Sequence, residues 1–357
     1  MSWLIFRGLR DRLIGGTHYP RFCLKTCGKL VAGVVSALRG PGSASTVFEP
    51  LGSHTLTSMP ENRTRRMHAV AESYFEAFAV DDPTRRSTAG IWRFNRSSGE
   101  GKVVGVRDSE VHKDIYTVYD EDGKPDTGIE SLLCKIESAF GGARRFLLDK
   151  QNILGKQVTL SKEHWTGLAR FVAAQLLRTP RFFEMMRSYL SVNGLAYEID
   201  TPPRVMVTLI ERWITRLVRM RGMLVYTETD LAFLTSDNPA AMWKRQGDGF
   251  ICGVDQYDPE LVVSCPLSPT LLYVVYQTED SLKAVHAERH DLPRDQRQPE
   301  LFTSHVDFGS IPEWEVKRQN QLCLQNAHKN VFANYRDEPL LRLLRNRFFS
   351  NAVSPGG

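Results

Sequence analysis

The chain has 357 residues, of which 42% are hydrophobic and 24% charged. This composition is typical of a globular protein and excludes collagen-like and low-complexity chains; a core of this size also needs no disulfides. Charges interrupt every hydrophobic run before it reaches the roughly 18 apolar residues that a membrane span requires. We therefore expect a cytoplasmic protein that does not enter a membrane.

The formal net charge of +5 comes entirely from residues 1–58. Residues 59–357 sum to zero, so the charge does not indicate that the body of the protein binds nucleic acid. We expect residues 1–58 to form a disordered extension or leader. An organelle transit peptide, which is also basic and poor in acidic residues, is the alternative.

The first half of the body predicts helices around one hairpin. Residues 68–79 have apolar side chains at helical spacing. Ile91–Phe94 and Lys102–Val106 flank a turn-rich segment, which predicts a β-hairpin. Thr127 and Glu130 have the spacing of a capping box and predict the start of a second helix. A long helix is predicted from Ser161, its N-cap, to about Tyr189, with a kink at Pro180.

The second half of the body predicts mainly strands. A helix over residues 204–221 is followed by strands at Met223–Thr227, Leu231–Thr235, Leu261–Cys265 and Leu271–Gln277. The last element is a helix over Glu315–Ala333. The predicted class is α+β, in which a helical N-terminal part packs on a mainly antiparallel sheet and a C-terminal helix closes the fold. We expect one domain over residues 59–345 and a flexible tail over 346–357.

Several phrases in this order resemble the family catalogued as domain of unknown function 4238, over about residues 67–335. His-Ala-Val-Ala, which begins at His68, replaces the usual His-Tyr-Val-Pro and keeps the histidine. The resemblance implies candidate residues and no reaction. The phrases are Met67 to Phe78, Asp114-Ile115-Tyr116-Thr117, Glu130 with Glu137, Gln175 to Pro180, Ser236-Asp237-Asn238-Pro239 and Pro266-Leu267-Ser268-Pro269.

Two pairs of polar residues are candidates for catalysis or metal binding. His68 and Glu72, four residues apart, share a face of the predicted helix, where an imidazole and its carboxylate could hold a metal or transfer protons. The alternative is a surface ion pair. Glu130 and Glu137 also share a helix face and could act in acid–base catalysis or bind a divalent cation. The capping box explains Glu130 without any function.

Further along the chain, other polar residues are candidates for catalysis or substrate binding. Gln175 and Arg178 interrupt an apolar stripe, and a buried Arg178 must pair with a substrate oxyanion or with Glu130, Glu137 or Asp237. Asp237 and Asn238 follow an apolar strand, in a loop that could present catalytic groups or simply form a turn. Asn320, on the apolar side of the last predicted helix, indicates an interior hydrogen bond or a site contact.

The sequence lacks a glycine-rich dinucleotide fingerprint, a Walker A loop, a His-Glu-x-x-His motif and a Gly-x-Ser-x-Gly motif. The first hypothesis is a hydrolase of a phosphate-bearing substrate, nuclease-like or phosphodiesterase-like, that uses an acid–base or metal-assisted site, with Arg178 as the clamp for the phosphate. Its cofactor would be a divalent cation and its substrate a small molecule or a nucleic acid. The second hypothesis is a ligand-binding or regulatory protein without catalysis, in which these residues form a structural polar network.

Overall fold

The computed structural model describes residues 66–80, 89–98, 100–113, 115–119, 125–150, 158–192, 201–227, 229–246, 249–254, 258–278 and 305–334. The predictions of a leader and of a C-terminal tail lie outside these residues. Within them, no helix combines the length and the apolar character needed to cross a bilayer. The α-helices are α1 (Glu72–Phe75), α2 (Gly128–Lys150), α3 (Lys162–Leu177), α4 (Pro180–Val192), α5 (Thr201–Leu217) and α6 (Glu313–Asn326).

The strands form two larger sheets and two short ribbons. They are β1 (Arg66–His68), β2 (Gly90–Asn95), β3 (Gly101–Gly105), β4 (Val111–Lys113), β5 (Val118–Tyr119), β6 (Pro125–Asp126), β7 (Val158–Thr159), β8 (Arg221–Thr227), β9 (Thr235–Ser236), β10 (Ala241–Gln246), β11 (Gly249–Cys252), β12 (Val262–Pro266), β13 (Leu271–Tyr276), β14 (His305–Ile311) and β15 (Asn330–Ala333).

The larger sheet has the order β11-β10-β12-β13-β8-β14-β7, and the smaller one β3-β2-β15-β9. The ribbons pair β1 with β4 and β5 with β6. Every strand pairing among the described residues is antiparallel except that of β8 with β14. Helices and a mainly antiparallel sheet confirm the predicted α+β class.

Helix α3 packs directly on the larger sheet. A Cβ atom at Gly222 of β8 would lie 1.9 Å from Cη2 of Trp165, so only glycine allows this approach. The Trp165 ring also meets Tyr273 of β13 edge to face, with their centroids 5.6 Å apart. On the other side of α3, Phe171 stacks on Phe140 of α2. The main core therefore spans α2, α3 and the sheet.

Two local predictions are confirmed, and a third is confirmed in part. The Ser161 hydroxyl accepts a 3.2 Å hydrogen bond from the backbone N–H of His164 and caps α3. Strands β2 and β3 form the predicted hairpin. An interruption at Pro180 is also found, although as a break between two helices and not as a kink within one: α3 ends at Leu177 and Pro180 is the first residue of α4.

Three other predictions are wrong in part. His68 lies in β1, and only Glu72–Phe75 and a 3₁₀ turn at Glu76–Phe78 are helical. Residues 231–234 lie outside any strand, because their backbone pairs with a side chain, as described below. The last helix ends at Asn326, and the chain continues as β15, because Val331 and Phe332 pair with both β2 and β9.

Candidate functional site

All three guanidinium nitrogens of Arg178 donate hydrogen bonds to neighbouring residues. Arg178 caps the end of α3 and is 3% exposed. Its Nη1 donates to Glu137 Oε1, its Nη2 to the carbonyl of His68, and its Nε to the Tyr116 hydroxyl at 3.3 Å. The single Tyr116 hydroxyl proton is shared between the carbonyls of Arg178, at 2.9 Å, and His68, at 3.1 Å. Of the partners that the sequence left open, the structure therefore gives Arg178 the Glu137 carboxylate.

His68 and Glu72 are neighbours although no common helix carries them. Nε2 of His68 lies 3.8 Å from Oε2 of Glu72, whose side chain is 44% exposed. Burial lowers the pKa of His68 below 6.5, against the opposing effects of Glu72 and the Ser109 backbone. The neutral imidazole is thus the favoured form at neutral pH. The pair could transfer a proton, but its carboxylate faces solvent.

Asp237 is buried and accepts hydrogen bonds from three successive backbone N–H groups. Its Oδ1 accepts from the backbone N–H of His328, and its Oδ2 from those of Lys329 and Asn330, at 2.6–2.8 Å. Burial and the nearby Glu110 carboxylate raise the pKa of Asp237 to about 6, although the three N–H donors lower it. The carboxylate therefore links β9 to the start of β15.

The asparagines of the predicted site serve as backbone partners. Asn238 Nδ2 donates to the carbonyl of Asn326, and Asn326 Nδ2 donates back to the carbonyl of Asn238. Asn320 accepts from Leu234 N–H at 2.8 Å and donates to the carbonyl of Ala232 at 2.9 Å. Asn320 thus makes the hydrogen bonds to Ala232 and Leu234 that a neighbouring strand would otherwise make, and residues 232–234 belong to no β-ladder.

Gln175 and Glu130 lie outside these networks. Gln175 is fully buried, and neither atom of its amide makes a hydrogen bond among the described residues. Glu130 lies in the first turn of α2, where Gly128 N–H donates to the Asp126 carboxylate. No group of three or more His, Cys, Asp and Glu side chains in the described part of the chain is arranged to hold a metal ion. A metal role for Glu72 and Glu130 stays a prediction.

Glu110 is a buried carboxylate that the sequence analysis did not identify. Its side chain is 5% exposed, and its backbone has φ 51°, the only positive value among described residues other than glycine. Oε2 lies 3.3 Å from Nε2 of His112, whose side chain is 36% exposed. Oε1 accepts from Asn330 Nδ2 at 2.8 Å. The one available signal was the presence of a glutamate and a histidine only two residues apart.

Tyr116 and Asn330 join these residues into one polar region. Burial raises the pKa of Tyr116, and Glu137 and Glu110 raise it further against the effect of Arg178. The Glu110 carbonyl accepts from Ala69 N–H at 2.9 Å, next to His68, whose own carbonyl accepts from Arg178, while Asn330 connects Glu110 with Asp237. Of the predicted residues, the structure brings together His68, Glu72, Glu137, Arg178 and Asp237. Glu110 and His112 adjoin this group.

Comparison with known proteins identifies a family but no activity. No curated protein matches the chain, and no solved structure matches it. The family described as "Protein of unknown function (DUF4238)" matches residues 66–337, which include every residue of the candidate site. Because this match covers more than half of the 357 residues, the chain belongs to the DUF4238 family.

Proposed function

We propose that the protein is a hydrolase that uses general acid–base catalysis at the pair formed by Glu110 and His112. The observation that carries this proposal is a buried carboxylate, held in an unfavourable backbone conformation, that contacts a half-exposed imidazole. Backbone strain of this kind costs about 1–3 kcal/mol and concentrates at functional sites.

The contacts support a separate role for each member of the pair. Glu110 accepts from Asn330 through Oε1, which leaves Oε2 to orient the ring of His112. His112 is exposed enough to meet a substrate, and an imidazole is the commonest general base at neutral pH. Glu110 acts as the orienting carboxylate, as in other carboxylate–histidine pairs.

A hydrolysis step at this pair balances with one water molecule. The free nitrogen of His112 takes a proton from water, and the oxygen of that water forms the new bond to the substrate. The bond to the leaving group then breaks, and the protonated His112 returns its proton to the leaving group. Glu110 stabilises the imidazolium formed in between and does not itself need to take the proton.

A second candidate function is binding without catalysis, and the closed networks favour it. Arg178, Asp237, Asn238 and Asn320 are all engaged by backbone or side-chain partners. Such satisfied networks occur for structure alone. Under this candidate, Glu110 and His112 would only complete the same network.

Turnover by the full chain and its His112→Gln variant separates the two candidates. The probes are p-nitrophenyl acetate, p-nitrophenyl phosphate, bis(p-nitrophenyl) phosphate and a fluorescent single-stranded oligonucleotide, each with and without Mg²⁺. We expect hydrolysis of at least one probe and a loss of roughly 10²–10⁴-fold in His112→Gln with an unchanged unfolding midpoint. Lys113→Gln, an exposed change in the same strand, is the control. Turnover of no probe, or an unimpaired His112→Gln, would favour binding without catalysis.

A further inference from the structure

Arg178, the arginine expected to clamp a phosphate, is not available to a substrate. Its guanidinium is 3% exposed and already bonds Glu137, His68 and Tyr116. Three residues later, Arg181 lies in the first turn of α4 and is partly exposed. Arg181 Nη1 donates to the carbonyl of Asn326 at 2.9 Å, and no carboxylate within the described ranges pairs with it.

Lys329 is a second cation at the same place. Its backbone N–H is fixed on Asp237 Oδ2, whereas its exposed side chain forms no ion pair with any described residue. Burial lowers the pKa of His328; Glu184 opposes this effect, and Lys329 and Arg181 add to it. Arg181 bonds the Asn326 carbonyl, and Glu184, one turn further along α4, lies 3.4 Å from His328, so this end of α4 packs on the segment that carries Lys329. Asn330, two residues after His328, donates to Glu110 of the proposed catalytic pair at 2.8 Å.

We infer that Arg181 and Lys329 bind the phosphate group of the substrate. This inference rests on the proposed hydrolase site and gives it a substrate class, phosphate esters. A guanidinium presents paired donors that match phosphate oxygens, and an ammonium adds a mobile point charge.

Glu184 limits binding of an anion at this place. Its Oε1 lies 3.4 Å from Nε2 of His328, and its side chain is 54% exposed. A phosphate beside Arg181, one turn earlier on the same helix, would be repelled by this carboxylate, because like charges repel at short distance. Removing the Glu184 charge should therefore strengthen phosphate binding, an effect that a purely structural role of Arg181 would not produce.

The test measures binding of inorganic phosphate and bis(p-nitrophenyl) phosphate to the full chain by titration calorimetry. We expect Arg181→Gln and Lys329→Gln to weaken binding about tenfold or more each, and Glu184→Gln to strengthen it several-fold. Arg187→Gln, which removes an exposed arginine from the same helix, should leave the affinity unchanged. Lys329 forms no bond through its side chain, so its variant remains informative if Arg181→Gln fails to fold.

The inference and the proposed function fail in different ways. Absence of phosphate binding, or an equal loss in Arg187→Gln, overturns the inference, and hydrolysis of p-nitrophenyl acetate would still leave the hydrolase standing. Binding that depends on Arg181 and Lys329, without turnover of any ester, overturns the hydrolase and keeps the anion site. His112→Gln should bind phosphate normally and turn over little, which would support both.

Discussion

Asn330 Nδ2 donates a 2.8 Å hydrogen bond to Glu110 Oε1, between residues 220 positions apart in the sequence. The backbone N–H of the same asparagine donates to Asp237. Asn330 thus contacts both buried carboxylates of the polar region. It has no part in the proposed chemistry and acts by holding Glu110 against His112.

Asn330→Ala should lower the free energy of unfolding by about 1.5–3 kcal/mol, because the lost hydrogen bond goes to a charged group. Urea unfolding measures this loss. Asn95→Ala is the matched control, since Asn95 faces Asn330 across β2 and β15 but bonds only an exposed turn through its side chain. Equal losses of unfolding free energy in the two variants would show that the hydrogen bond from Asn330 to Glu110 adds nothing to stability.

The backbone of Glu110 predicts an unusual ranking of two variants. Glu110→Gly and Glu110→Ala lose the same hydrogen bonds, so their difference reports the conformation at φ 51°. We expect the glycine variant to be more stable by roughly 1–2 kcal/mol, the usual cost of this region for a residue with a Cβ atom. An alanine variant as stable as the glycine variant would contradict the left-handed backbone.

Asp237 should give a stability contribution that grows as the pH falls. Its folded-state pKa of about 6 lies above the ordinary value of 3.8, so the folded protein binds the proton more tightly than the unfolded chain. Between pH 7.5 and 5 this contribution should rise by roughly 1–1.5 kcal/mol. His68 and His328, whose pKa values are lowered, act in the opposite direction. The quantity to measure is therefore the difference between wild type and Asp237→Asn, and a difference independent of pH would refute the raised pKa.

Gln175 should be replaceable by an apolar residue with a gain in stability. Its amide is fully buried and makes no hydrogen bond among the described residues, so Gln175→Met removes a desolvation cost of about 1–3 kcal/mol. Gln319→Met is the control, because Gln319 is also buried but donates to Glu315 at 3.0 Å, and that variant should be less stable than wild type. Thermal unfolding compares them. A lower midpoint for Gln175→Met would mean that its amide is paired in solution.

Structural elements that are determined by residues close together in the sequence could be predicted. The Ser161 cap and the β2–β3 hairpin follow from spacings of a few residues, and both are confirmed. A buried arginine needs a carboxylate, and Glu137 was one of three candidates for Arg178. The class α+β followed from the order of the elements alone.

Long-range contacts explain what the sequence could not predict. Val331 continues the helical apolar stripe of α6, yet pairing with β2 and β9 makes it part of a strand. Asn320 takes the place of a strand beside residues 232–234. The left-handed backbone of Glu110 has no local signal, because glutamate ordinarily avoids it. The candidate site was therefore predicted only in part, without its most strained residue.

The position of β15 also has a consequence for how the protein is made. On the ribosome the β2–β3 hairpin emerges early, whereas the strand that covers the free edge of β2 emerges only after most of the chain. Domains begin to fold while synthesis continues, and an uncovered strand edge is prone to pair with other chains. Nascent chains that stall before β15 should therefore depend on chaperones and be prone to aggregate.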